Sequence, residues 1–156
     1  MFWISFPQNT FKNNAAVGGA FGFWYSLSEH PVGFAETPTN SKLEWPRLES
    51  QYGSFQGNTA HSSTNCLFVD RGAASDGTVD ELTPYTPKAW ALDPSAVSLD
   101  HKDIEDFIQA GSVVPVFFND VTAYKCRLHA LWFRGTGFVV KNAKVTDSFL
   151  MLTMPG

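Results

Sequence analysis

Short apolar runs separated by Asn, Gly, Ser and Thr recur along the chain: Ala20–Leu27, Cys66–Val69, Val113–Phe118, Leu128–Phe133, Phe138–Val140 and Phe149–Leu152. Runs this short, rich in β-branched and aromatic side chains, predict strands. Helical periodicity occurs at a single place, Asp100–Ala110. There Asp100 can cap, Ile104, Phe107 and Ile108 share a face, and Gly111 can stop the helix.

The strand segments resemble one another. NTFKNNAAVGGAFGFWY, GSFQGNTAHSSTNCLFV and PVFFNDVTAYKCRLHALWF each set a Phe shortly before Asn or Asp, then a small or β-branched residue, a polar stretch and an apolar strand. Phe11 to Phe55 is 44 residues, twice a repeat of about 22, and Phe117 to Val139 is another 22. Phe55 to Phe117 is 62 residues and requires an insertion. A repeat unit of this size cannot bury its own apolar face, but stacked units bury a continuous core. The pattern predicts an all-β, right-handed parallel β-helix over residues 1–156, of about four coils stacked at about 4.8 Å. Insertions are expected at about 31–54, which holds Pro31, Pro38 and Pro46, and at about 71–111, which holds the short helix.

Side-chain roles derive from that architecture. Asn tolerates left-handed backbone angles and bonds to nearby backbone, so Asn13, Asn14, Asn58 and Asn142 are expected at the turns, with Asn side chains laddered between coils. Gly22 and Trp24 are expected to be structural, Trp24 being buried under its counterpart in the next coil, Phe68. Aligning His61 with Tyr124 puts Cys66 and Cys126 about three positions out of register, which predicts free thiols.

Aromatic residues make 15% of the chain, including 14 Phe and 5 Trp. Core filling and flat platforms for sugar rings are both open to them. The net charge of −4 carries no nucleic-acid signature, yet residues 121–146 hold Lys125, Arg127, Arg134, Lys141 and Lys144 with no acid. Such a segment is either a contact for an anionic polymer or a solvated basic surface. No run approaches the roughly 20 apolar residues of a membrane helix. The start, MFWISFPQNT, lacks the basic n-region of a signal peptide.

Several chemistries find no pattern. His30, His61, His101 and His129 have no zinc-ligand spacing, so no metal is expected. There is no G-x-S-x-G elbow, and Gly18, Gly19 and Gly22 precede no Lys-Ser/Thr and no helix, so neither a serine hydrolase nor a nucleotide cofactor is indicated. Asp103, Glu105 and Asp106 lie on the candidate helix, where a solvated face accounts for them.

The motifs resemble a known family. FWISFPQNTFKNNAAVGGAFGFWYSL at 2–27, with Asn13, Asn14, Ala16, Gly18, Gly22, Phe23 and Trp24, is similar to a segment of cell-migration-inducing hyaluronan-binding protein, the transmembrane hyaluronidase and fibrocystin-like proteins. HPVG at 30–33, GSFQGNTAHSSTNCLFVDRG at 53–72 and VTAYKCRLHALWFRG at 121–135 resemble the next segments of those proteins, in the same order. Cys126 and His129 stand where that family looks Asn-like, and Ala130 stands for a Gly. The resemblance implies an extracellular or cell-surface β-helix that handles an anionic, glycosaminoglycan-like polysaccharide, hyaluronan first. It places the family's catalytic His and Asp upstream, so no catalytic residue is carried over, and the remaining coils of a larger parent protein are expected as partners.

Motif and charge together give the ligand candidates. Arg134 in WFRG offers a planar guanidinium to a uronate carboxylate, and Lys125, Arg127 and Lys141 are its basic neighbours. His61 is a candidate acid–base or sugar contact, and Asp70, at the end of a strand, a candidate carboxylate. For Arg134 and Asp70 an ion pair is the competing structural role. Three functions remain: a polysaccharide-handling module, a structural or adhesive β-helix spacer without its own ligand, and an independent lyase or epimerase. A converging Asp/His/Arg cluster in a groove would favour the last.

Overall fold

The computed structural model describes residues 1–27, 53–73, 79–81, 85–86 and 115–155. Strand β1 (Phe2–Ile4) precedes a first coil of β2 (Thr10–Lys12), β3 (Ala15–Val17) and β4 (Phe21–Tyr25). The second coil is β5 (Ser54–Gln56), β6 (Thr59–His61) and β7 (Asn65–Val69). A short antiparallel pair comes next, β8 (Gly72–Ala73) with β9 (Val79–Glu81). The third coil is β10 (Val116–Asn119), β11 (Thr122–Tyr124) and β12 (His129–Phe133), and the fourth β13 (Phe138–Lys141), β14 (Lys144–Thr146) and β15 (Leu150–Thr153). Equivalent strands stack into three parallel sheets: β1-β4-β7-β12-β15, β2-β5-β10-β13 and β3-β6-β11-β14. This is the expected parallel β-helix of four coils.

The corners explain why this sequence can wind so tightly. Between the second and third sheets each coil has one left-handed residue: Asn13, Gly57, Asp120 and Asn142. Between the third and first sheets the series is Gly18, Ser62, Lys125 and Asp147. Asn and Asp tolerate that geometry better than other side chains, and glycine has no Cβ to clash. The Asn ladder is real but short. The Asn58 Oδ1 accepts from the backbone and side-chain nitrogens of Asn14 at 2.9 and 3.1 Å, and Asn58 Nδ2 donates to the Phe11 carbonyl. Buried Val121 ends it in the next coil.

The interior is shaped by a contrast in side-chain size. The third sheet contributes the column Ala16–Ala60–Ala123, which leaves room for Phe55 and Phe118 from the second sheet and Phe23, Leu67, Leu131 and Phe133 from the first. The register corrects the repeat arithmetic in two places. Phe11 and Phe55 occupy adjacent coils, so their separation is one coil plus an insertion rather than two coils. The inward partner of Phe55 is Phe118, while Phe117 faces outward under Lys141. Phe117 does pair with Val139, the plain coil step.

Within 71–111 the chain touches the stack again. Tyr85 donates its N–H to the Arg134 carbonyl and accepts from Thr136 N–H, at 3.0 Å each, and its buried ring joins the core. Burial, reinforced by Tyr25, pushes the Tyr85 phenol far up, so it stays neutral. A Cβ at Gly135 would collide with the Tyr85 backbone, which fixes glycine there. The candidate helix at Asp100–Ala110, together with His30, His101, Asp103, Glu105 and Asp106, lies outside the described residues.

The thiol expectation is overturned: Cys66 and Cys126 form a disulfide, with Cα atoms 5.8 Å apart. The offset counted along the chain misled because Cys126 sits in a corner, not a strand. Lys125 turns the chain left-handed, and the next residue folds back beside the strand of the coil above. Both sulfur-bearing residues are buried in the core.

Candidate functional site

The first sheet does not alternate strictly. Phe21, Asn65 and His129 are in register, as are Phe23, Leu67 and Leu131, yet the residues between them also face the core. Cys66 and Ala130 belong to the core, and a Cβ on Gly22 would lie 2.5 Å from the Cys66 carbonyl oxygen. Two successive inward residues therefore leave outward positions three apart: Phe21 and Trp24, Asn65 and Phe68, His129 and Trp132. The result is two columns on the outer face of one sheet.

Aromatic rings fill those columns. Trp24 is buried and pairs in register with Phe68, as expected, but its ring lies flat against Trp3 at 5.2 Å and Phe21 at 4.6 Å. Phe68 stacks on Trp132 at 5.7 Å. Trp132 meets His129 edge to face at 4.5 Å. Offset and edge-on contacts of this kind suit the quadrupoles of the rings.

The polar end of the strip is organised by Asp70, which is fully buried. Its Oδ2 accepts from Trp132 Nε1 at 2.9 Å and from Arg134 Nε at 2.8 Å, and its Oδ1 accepts from the Arg71 N–H at 2.7 Å. Trp24 Nε1 donates to the Asp70 carbonyl oxygen at 2.9 Å. Burying a carboxylate is tolerable only with such compensation. The Arg134 side chain keeps 19% of its surface exposed, and its guanidinium carbon lies 5.9 Å from the Trp132 ring centre. Asp70 thus holds Arg134 at its Nε while part of the side chain meets solvent.

His129 lies at the other end of the same coil, with Nδ1 2.7 Å from Asn65 Oδ1. Its neutral form with the proton on Nδ1 donates to that amide oxygen and leaves the Nε2 lone pair free to accept. Burial pushes the His129 imidazole below its ordinary value. The unfolded chain therefore takes up a proton first as pH falls. The stability linked to His129 is intact above about pH 6.5 and declines below it, by at most about 1.4 kcal/mol per pH unit. Urea midpoints at pH 7.5 and 5.5 test this. His129→Asn is expected to lose less stability on acidification than the unaltered chain, and equal losses would contradict it.

The six ligand candidates fall on three faces. Asp70 and Arg134 are joined on the first sheet. His61 faces outward on the third sheet, stacked on Tyr124 at 4.5 Å, with Lys125 and Arg127 exposed at the adjoining corner. Lys141 is on the second sheet, its ammonium 4.5 Å above the Phe117 ring. Lys125 and Arg127 are exposed on either side of the buried Cys126, in the corner between β11 and β12. His129, Trp132 and Asn65 were missed as site residues. The signal was available in the three-residue spacing shared by Phe21/Trp24, Asn65/Phe68 and His129/Trp132. Among the described residues no group of three His, Cys, Asp or Glu could hold a metal ion, and no helix is long and apolar enough to cross a membrane.

The CEMIP beta-helix family model matches residues 1–68, which supply the first two coils and the Asn ladder. The first two coils therefore match the CEMIP β-helix family. It is 30% identical over 155 residues to the human cell surface hyaluronidase CEMIP2, covering 97% of this chain and 10% of that protein. It is also 30% identical over 154 residues to a Dictyostelium discoideum protein, covering 97% of this chain and 13% of the relative. Mouse fibrocystin-L is 30% identical over 135 residues, covering 86% of this chain and 2% of that protein. The chain therefore spans 13% or less of the length of these relatives.

Proposed function

We propose that this CEMIP-like β-helix is a polysaccharide-handling module of an extracellular or cell-surface protein, with hyaluronan as its first ligand. The observation that carries the reading is Arg134: a guanidinium oriented by a buried carboxylate, backed by Trp132 and partly open to solvent. A planar, pre-oriented fork of N–H donors suits a uronate carboxylate, and the indole beside it suits the apolar face of a sugar ring. The name of the CEMIP2 relative supports the ligand class. The buried Cys66–Cys126 disulfide supports an oxidising, extracytoplasmic location.

The exposed apolar residues of the last coil, Phe149, Leu150, Met151, Leu152 and Met154, suit further coils of a parent protein as partners. The test of the ligand reading is hyaluronan binding by the full-length protein carrying Arg134→Lys. That change keeps a positive charge beside Asp70 but removes the planar fork. The variant is expected to lose about tenfold or more in affinity, more than 1.4 kcal/mol, at an unchanged melting temperature. Unchanged affinity in a folded variant would leave a structural or adhesive spacer as the better reading.

A further inference from the structure

The outer face of the third sheet is a second surface, separate from the Asp70–Arg134 strip. Its outward positions form two columns in strict register: Ala15–Thr59–Thr122–Lys144 and Val17–His61–Tyr124–Thr146. Opposite these, Ala16, Ala60 and Ala123 are buried, so the alternation of the strands fixes which side chains face out. His61 and Tyr124 stack with their planes 12° apart and are half-exposed. Their rings therefore present edges, not faces, to anything lying on the sheet. Thr59 and Thr122 add hydroxyls alongside. No acid occupies any of these eight outward positions.

The corner that borders this face is basic. Lys125 and Arg127 are both exposed and flank the inward Cys126, while Lys144 lies one coil further on, in register with Thr122. The disulfide between Cys126 and Cys66 anchors the corner, so the two cations are held on a fixed backbone. Among the described residues, the acid at the neighbouring corner position is Asp147, which leaves an excess of positive charge. Hydroxyls and ring edges on the sheet, with exposed cations at its corner and on the next coil, suit a polymer that is both hydroxyl-rich and densely anionic. Hyaluronan carries a single carboxylate per disaccharide; a sulfated glycosaminoglycan carries more anionic groups in the same length and can meet several of these cations at once.

We propose that the outer face of the third sheet, with Lys125, Arg127 and Lys144 beside His61 and Tyr124, binds a sulfated glycosaminoglycan. This goes beyond the hyaluronan reading and does not depend on Arg134. A size-defined heparin oligosaccharide is the probe for the full-length protein, with a hyaluronan oligosaccharide of equal length run in parallel. Lys125→Ala with Arg127→Ala is expected to weaken heparin binding by about tenfold and to flatten its dependence on salt, because both cations are exposed and screened by ions. Lys144→Ala alone is expected to act in the same direction with a smaller effect, and Arg134→Lys to leave heparin binding unchanged. Charge-preserving Lys125→Arg with Arg127→Lys should restore affinity, which separates loss of contact from damage to the corner. Heparin binding that survives the double alanine variant, or that falls only with Arg134→Lys, would overturn the proposal. Loss of hyaluronan binding alone, with heparin intact, would bear on the first-sheet site and not on this one.

Discussion

Replacing both Cys66 and Cys126 by Ala is expected to lower the stability of the β-helix by about 4 kcal/mol. The bond joins residues 60 apart in sequence, so in the unfolded chain it closes a long loop that includes the whole of 71–111. Chain-entropy estimates for loops of that length lie between those for short hairpins and for whole domains. The bond also ties the corner of the third coil to the first-sheet strand of the second, so its loss frees the two coils that carry Asp70 and Trp132. Urea titrations with and without reductant give the check. The midpoint of the unaltered chain should fall when the disulfide is reduced, and the Ala/Ala variant should be indifferent to reductant. Because both cysteines are buried, reduction should be slow until denaturant opens the stack. A native midpoint unmoved by complete reduction would contradict the assignment.

The strands of this fold were legible because a β-helix writes its corners into the sequence. Asn13 and Asn142 mark left-handed turns, Asn58 bonds across the same corner, and Phe117 to Val139 gives the bare coil length. Two features were hidden for physical reasons. Phe11 and Phe55 differ by a convenient multiple of the coil, so an insertion looked like an extra repeat. Cys66 and Cys126 looked out of register because sequence offsets measure distance only along a straight strand, and a left-handed corner at Lys125 breaks that relation.

The candidate site was partly legible for a related reason. Arg134 and Asp70 stood out by motif, and each was weighed as the other's ion-pair partner, which they are. Period-two alternation places Cys66 and Ala130 outward, whereas both belong to the core. The irregularity in the first sheet moves His129 and Asn65 to the outer face. It is produced by tertiary packing of small residues, Gly22 against Cys66, and no local propensity announces it. Asp70, Arg134 and His129 share one face, but Trp132 is seated between Asp70 and His129, so they do not form the converging cluster that would favour a lyase or epimerase.

Asp70→Ala is expected to destabilise the chain by about 3–5 kcal/mol, the usual range for removing one member of a buried ion pair. The carboxylate accepts from Trp132 Nε1, Arg134 Nε and the Arg71 backbone N–H, and none of these donors keeps that partner after the change. Arg134, with 19% of its side chain exposed, can turn part of its guanidinium to water, which moves the cost toward the lower end. The converse change, Arg134→Ala, takes the cation from a carboxylate with 0% exposure that still accepts from Trp132 Nε1 and the Arg71 N–H, and it is expected to destabilise the chain as well. Asp70→Asn should not rescue the site. One oxygen becomes an NH2 group and must face either the Arg71 N–H or the paired donors of Trp132 and Arg134. A double-mutant cycle makes the claim sharp. Asp70→Ala combined with Arg134→Ala should cost less than the sum of the single changes by about 1–3 kcal/mol, because each single change already breaks the same contact. Strict additivity in urea unfolding would mean that the pair is not coupled, and the orientation of Arg134 on which its ligand role depends would then lack its cause.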